Sequence, residues 1–561
     1  MVLIKNFRTE FYERIRSQRI LVLVSLDVDA LCALKILQYL FQCDHVMYTI
    51  LPVAGRQDLE SAFVENSESC KTVLLINCGG NIDIVELLQP DEDVMFYICD
   101  SHRPIHVHNI YNVKQVNLVM KDDLINVPDF DDIFMDDSED EQDSDSESEP
   151  SNKRTRMTEE TLMKRREKRA WDQKRAQILL EYSEFTTYGQ SAAVSMFELA
   201  WKMTKDTNDL LWFATIGLTD QYIHQKISRE QYIESVSLLQ PHVSRHNHKI
   251  DDDENKRSVS SLKITFEEEL QLCLYRHWTL FDSLCNSPLT ASRFRVWSMK
   301  GKKKLQEFLA DMGLSLVQCK QMYTSMDSSL RASLREMIEG KAEKYGLSIQ
   351  DILVPSFLAE YGYKRRLSAM DVAYSCAALL ESIDKNKSVS DCFLQAQDLL
   401  MRDNNAILDK GLDFAKTQLK ATMSQVQSFL DMSQIISAGP FLYAFVGEGV
   451  PDVKLFSKPI CLQRLAKFTL TAYCSVSKSR RAPNLPLVLG APRDLDQGTT
   501  LIIGIPPLSE EDGRNFFGQA FEHAAKNTNS RILQDSFDSH IAEMKTEDKS
   551  KFFDALIALM Q

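Results

Sequence analysis

The sequence predicts an α/β protein whose N-terminal part is a parallel sheet with helices on both faces. Short apolar runs at Ile20 to Leu26, Thr72 to Ile76 and Val94 to Cys99 have the length and composition of buried strands, and Val46 to Val53 is β-rich. Stretches of helical spacing separate them, at Ala30 to Leu40, Asp58 to Val64 and Ile82 to Leu88, the last ended by Pro90. Strands that alternate with helices in this way are joined by crossovers and lie parallel. Ligands of such sheets bind beyond the carboxyl ends of the strands. The residues at those ends are therefore the first candidates for function.

Composition sets the limits. With 561 residues, 44% hydrophobic and 26% charged, the chain is neither collagen-like, low-complexity nor a small disulfide scaffold, and it has room for two to four domains. A net charge of −15 excludes a basic nucleic-acid coat. Asp27 and Asp29 interrupt the most apolar N-terminal stretch, so no membrane span is expected. Arg8, Glu10, Glu13 and Arg14 come too early for a secretory signal. Twelve cysteines with no Cys-x-x-Cys pair argue against a zinc ribbon and for a reducing compartment.

The charge is concentrated in one place. Asp129 to Glu149 holds twelve acidic residues and no basic one, and Lys153 to Arg175 holds ten basic and four acidic. The acidic run has too little apolar content to repay the entropy of ordering and is expected to be a disordered insertion. Leu162 to Arg175 lacks helix breakers and reads as a solvated helix that counterbalances it. Lys153-Arg154 and Lys164-Arg165-Arg166 have the spacing of a bipartite nuclear import signal, a pattern that basic runs also match by chance.

The strand ends carry the chemistry. The first runs into Asp27-Val28-Asp29, the third into Asn77-Cys78-Gly79-Gly80, and the fourth into Asp100-Ser101-His102-Arg103-Pro104. Asp-x-Asp can aim two carboxylates at a hard cation, and the Asp and His of a neighbouring strand can add ligands. An Asp in that position also serves simply as a helix cap. Past the charged insertion, Ile216-Gly217-Leu218-Thr219 leads to one more carboxylate, Asp220.

In this order, Asp27, Asp29, Asn77, Asp100, Ser101, His102 and Asp220 resemble the motifs of the DHH phosphoesterases, the superfamily of the RecJ-type single-strand nucleases. Within it, Cys99 to Pro104, Trp297 to Tyr323 and Gly439-Pro440-Phe441-Leu442-Tyr443 resemble a eukaryotic branch of DNA replication factors. The resemblance implies a DHH-like domain over 1–128 and 176–225, split by the insertion at 129–175. It also implies a helical region over 226–425 and a small α/β DHH-associated-like domain over 426–561.

The nucleases hold two manganese or magnesium ions. Here Asn77 stands where they have an Asp, and Ser101 where they have the first His of their triplet. Two-metal hydrolysis needs anionic ligands to hold both ions, so the resemblance implies a degenerate remnant, with no metal or other cofactor expected. It implies a nuclear, non-catalytic subunit that joins the minichromosome maintenance hexamer and the GINS complex in the replicative helicase. Replication initiation and polymerase factors, and weakly held single-stranded DNA, are the further partners implied. The opposing reading is an active metal-dependent exonuclease on single-stranded DNA.

The rest of the chain adds less. Leu305, Phe308, Leu309 and Met312 recur with helical spacing and read as core. Arg293, Arg295, Lys300, Lys302, Lys303 and Lys304, interleaved with Phe294 and Trp297, read either as a contact for phosphates and bases or as a solvated helix end beside a packed Trp. His242, His246 and His248 fall in what reads as a polar loop. Phe441 to Val446, Val453 to Phe456, Leu485 to Leu489 and Thr499 to Ile505 read as strands, followed by helices from Asn515 and from Lys549.

Overall fold

Strand Ile20–Ser25 forms the axis of the N-terminal sheet. In the computed structural model, which describes residues 3–561 apart from 122–123, 125, 135–158, 253–261, 362–364, 385 and 511–512, it pairs in parallel with Tyr48–Val53 on one side and Thr72–Ile76 on the other. Met95–Cys99 and Val116–Leu118 continue the parallel order. Alternation along the strand explains the layers. Ile20, Val22 and Val24 enter a core formed with helices Val28–Cys43, Ala192–Lys202 and Asn208–Ile223. Leu21 and Leu23 face the opposite way, toward Leu59, Phe63, Ile84 and Ile110 on helices of the other face. The α/β architecture with its N-terminal parallel sheet is the one the sequence predicts.

The middle region is not purely helical. Lys263–Leu270, Leu353–Tyr361 and Arg365–Ser368 form an antiparallel sheet; in the first strand Ile264, Glu269 and Leu270 are buried and Glu267 and Glu268 exposed. The stripe Leu305, Phe308, Leu309 and Met312 is core, packed with Leu487 and Leu489 of the C-terminal sheet. The boundary drawn at 425/426 falls inside one continuous helix, Asn405–Asp431. His242 and His246 lie on helix Arg229–Asp252 rather than in a loop. His246 Nε2 is 2.8 Å from Asp206 Oδ2, and the His242 ring stands edge-on to Phe197 and Trp201.

The described residues of the C-terminal unit form a six-stranded sheet in the order Ile436–Ser437, Leu442–Phe445, Leu487–Asp494, Thr499–Ile505, Ile541–Lys545, Ile532–Leu533. Val453–Phe456 is a helical turn, not a strand. Leu455 and Phe456 are adjacent and enter the same core, whereas a strand would send them to opposite faces. Helices Phe517–Thr528 and Lys549–Met560 cover the sheet, close to where the sequence puts them. Among the described residues no helix is long and apolar enough to cross a membrane.

The insertion also starts later than its charge suggests. Phe130–Ile133 is a short helix, Ile133 is buried, and Phe130 and Phe134 pack on Tyr111. Three apolar side chains thus anchor a segment that charge alone assigns to the loop. The helix that follows, Glu159–Ser183, runs past Arg175 to within reach of the sheet, where Tyr182 Oη donates to Ile105 O at 2.9 Å. Residues 136–149 contain no apolar side chain, so deleting them is expected to leave Tm unchanged. A deletion of 129–149 removes Ile133 as well and should lower stability by about 2 to 5 kcal/mol. Thermal melting of the two deletions against the intact chain checks this.

Candidate functional site

The strand ends converge as the sequence suggests, and Asn77 is the centre of the arrangement. It leaves strand Thr72–Ile76 with a φ of 50°, a left-handed conformation that Asn tolerates better than most residues. From there its side-chain nitrogen donates to Asp27 Oδ1 at 3.2 Å and to Asp29 Oδ2 at 3.0 Å. Its oxygen accepts from the Ser101 backbone at 3.1 Å. One amide therefore spans both the Asp-x-Asp turn and the Asp-Ser-His turn.

Each carboxylate has local work as well. Asp27 caps helix Val28–Cys43 by accepting from Ala30 N at 2.8 Å. Asp29 is buried and accepts from Ala192 N at 2.8 Å, Ala193 N at 3.0 Å and the Ser191 hydroxyl, at the positive start of helix Ala192–Lys202. Gly217 is required here, because a Cβ would lie 2.7 Å from Asp29 Oδ1. Asp100 accepts from Gly80 N at 2.7 Å and His102 N at 2.9 Å. Asp220 lies in the fourth turn of helix Asn208–Ile223, buried and paired with His224 Nδ1 at 2.9 Å.

His102 has both ring nitrogens engaged. Nδ1 lies 2.6 Å from Asp100 Oδ1, and Nε2 lies 3.2 Å from Oδ1 of Asp538, which comes from the C-terminal unit. Tyr188 also donates to Asp538. Burial alone would push the imidazole down, but the two carboxylates outweigh it and raise its pKa to about 10. Burial pushes Asp100 and Asp220 up, and their histidine partners more than reverse this, holding both below the ordinary carboxylate value. Asp27 is lifted to about 6 by burial, against the opposing charge of Lys226.

Lys226 is the component that sequence reasoning missed. It follows helix Asn208–Ile223, and the charges of Asp27, Asp220, Asp538 and Asp29 together keep its ammonium protonated in spite of burial. Its Nζ also lies 5.4 Å from the centre of the Tyr188 ring. Lys467 donates to His224 O and, at 3.1 Å, to Gln225 O, and burial and the neighbouring Lys226 bring it down to about 7. No local signal marks Lys226 or Lys467. Asp538 does have one, since Asp538-Ser539-His540 repeats the tripeptide Asp100-Ser101-His102. A cavity of about 830 Å³, lined by Arg103, Tyr182, Tyr188, Gln221 and Arg514 among others, opens beside the cluster.

The basic patch lies apart from this site. Phe294 is fully buried and Trp297 nearly so, Arg295 donates to Ser475 O, and Ser298 caps helix Met299–Asp311, which carries Lys300, Lys302, Lys303 and Lys304. The patch therefore offers cations without a stacking ring. Arg293 packs against Gly346 and donates to Tyr345 O at 3.4 Å. Of the import-signal residues, Lys164, Arg165 and Arg166 lie on helix Glu159–Ser183 with Arg166 exposed, and Lys153 and Arg154 lie outside the described residues.

With fold and site in view, known proteins give a consistent answer. The sequence model of the CDC45 family matches residues 20–132 and 129–558. The chain belongs to the CDC45 family. It is 50% identical to the cell division control protein 45 homolog of Homo sapiens, over 99% of this chain and all of that one. The Schizosaccharomyces pombe homolog is 31% identical, with 95% of this chain and 94% of that one covered. The crystal structure of CDC45 from Entamoeba histolytica aligns with a TM-score of 0.72 at 24% identity, covering 100% of this chain and 99% of that one, and so shares its fold.

The doubly held His102 has a measurable consequence. An unfolded His titrates near 6.5, below the folded value of about 10, so its contribution is fully present below about pH 6.5 and is lost as pH rises toward 10. The stability difference between the wild-type chain and His102→Gln should accordingly be largest near pH 6 and shrink toward pH 10. Urea unfolding at a series of pH values reads it, and a difference that instead grows as pH rises through about 6.5 would mean a neutral imidazole.

Proposed function

We propose that this chain acts in the nucleus as a non-catalytic subunit of the eukaryotic replicative DNA helicase. Membership of the CDC45 family carries the coarser statement, that it is a DNA replication factor. The finer reading is that it braces the minichromosome maintenance hexamer together with the GINS complex, in contact with initiation and polymerase factors. It rests on the resemblance of the sequence and on the absence of a Gly-x-x-x-x-Gly-Lys-Ser/Thr loop, which leaves ATP hydrolysis to a partner.

One observation supports the non-catalytic part of the proposal. The groups that the nucleases would turn toward two metal ions are turned toward one another. Asn77 presents amide hydrogens to Asp27 and Asp29, where a ligand would have to present a lone pair. His102 has a carboxylate at each ring nitrogen, so neither lone pair is directed at open space. The ammonium of Lys226 provides positive charge among the same aspartates. This donor set does not fit a two-metal centre, and the aspartates act as caps and anchors instead.

The assay is degradation of a labelled single strand in manganese or magnesium. We expect no turnover from the purified chain, and none from Asn77→Asp combined with Ser101→His, because Lys226 and Asp538 remain in place. Turnover abolished by Asp27→Ala would establish the exonuclease instead. For the helicase reading, the chain is expected to co-elute with reconstituted minichromosome maintenance hexamer and GINS.

Single-strand binding should be weak, insensitive to base sequence and shallow in its salt dependence. The body is acidic, and Phe294 and Trp297 are too buried to stack on bases. Replacing Lys302, Lys303 and Lys304 by Ala should lower affinity and the salt slope together. Unchanged binding in a filter or anisotropy assay would move the strand to the cavity beside the carboxylate cluster.

A further inference from the structure

A second group of metal-capable side chains lies on the opposite face of the N-terminal sheet, outside the remnant site. Asp83, His106 and His108 each offer one ligand atom, and those atoms lie within 4.8 Å of one another. Two residues apart on a regular helix, two histidines would point in different directions. Here His106 is the extended cap before helix Val107–Tyr111 and His108 lies in its first turn, so the chain turns between them and the rings meet edge-to-face with centroids 5.2 Å apart. Asp83 caps the neighbouring helix Ile84–Leu88, accepting from Glu86 N at 3.0 Å, and its other oxygen pairs with His108 Nδ1.

The two helix starts are locked together. Buried Asn109 accepts from Ile84 N at 3.3 Å and donates to Ile82 O at 2.6 Å and Gly79 O at 3.1 Å. His106 N also donates to Gly80 O at 2.8 Å. All three side chains thus stand on backbone that is fixed by hydrogen bonds, as a preorganised site requires. The Asp83 to His108 pair accounts for two of them. His106 is left over, for its Nδ1 is buried and has no hydrogen-bond partner. The His108 side chain is 37% exposed and gives access from solvent.

We propose that Asp83, His106 and His108 form a binding site for one zinc-type divalent cation. Two imidazoles and one carboxylate are the donor set that zinc accepts with a fourth position left to water. Ligand atoms in such a site are about 3.3 Å apart for bonds of about 2.0 to 2.1 Å, a closure that side-chain rotation supplies. On binding, the metal takes the place of the proton shared by Asp83 and His108, and that proton leaves to solvent. The His108 ring packs on Phe134 at 5.3 Å, so the bound ion would stiffen the base of the acidic insertion.

The full chain, stripped with a chelator and kept reduced, is titrated with zinc chloride against a chromophoric competitor at pH 7.5. One equivalent is expected, weakened at least about tenfold in His106→Gln and in Asp83→Asn. His106→Gln alters a ring nitrogen with no partner, so its metal-free melting should match the wild type. If that variant melts early, the partly exposed His108→Gln carries the same test. Cobalt substitution should give visible bands of a nitrogen and oxygen site without a thiolate charge-transfer band. Failure of the wild type to retain an equivalent, equal retention by the variants, or a thiolate band assigning the metal to cysteines would each overturn the proposal.

Discussion

The amide of Asn77 touches both halves of the carboxylate cluster, its nitrogen donating to Asp27 and Asp29 and its oxygen accepting from the Ser101 backbone. Much of the molecule depends on this contact. Buried carboxylates that lack a partner are too costly to keep ionised, so a cluster of them needs cations or donors of its own. With an Asp at position 77 a further negative charge would face Asp27 and Asp29. An amide instead links the two turns with no added charge, and Lys226, His102 and the start of helix Ala192–Lys202 supply the remaining balance.

The same charge balance ties the two ends of the chain together. Asp538 reaches His102 and Tyr188. A few residues earlier, Asp535 accepts from Gln57 N at 2.8 Å, and Phe537 enters the core beneath the N-terminal sheet while its carbonyl accepts from Asn81 at 2.7 Å. Segment 535–538 therefore joins the C-terminal sheet to the strand ends by charge, hydrogen bonds and apolar burial together.

Much of this was legible from residue patterns. The buried runs gave their own identity as parallel strands, because a strand covered on both faces needs apolar side chains on both. Asp27, Asp29, Asn77, Asp100 and His102 were recognisable as strand-end residues from position alone. The strand expected at Val453 to Phe456 was misread because four residues do not separate the two periodicities, and the burial of Leu455 beside Phe456 decided for a helical turn. Phe130, Ile133 and Phe134 were hidden by the acidic residues around them, although they dock on Tyr111 and the core.

What the sequence by itself determined is the order of elements and the candidate cluster at the strand ends, both of which are local in the chain. Only the tertiary structure decided what balances the charge of that cluster. Lys226, Lys467 and Asp538 are ordinary charged residues in one dimension, 199, 440 and 511 positions from Asp27. They gain their roles because low-dielectric surroundings strengthen each charge interaction over the short distances that folding creates.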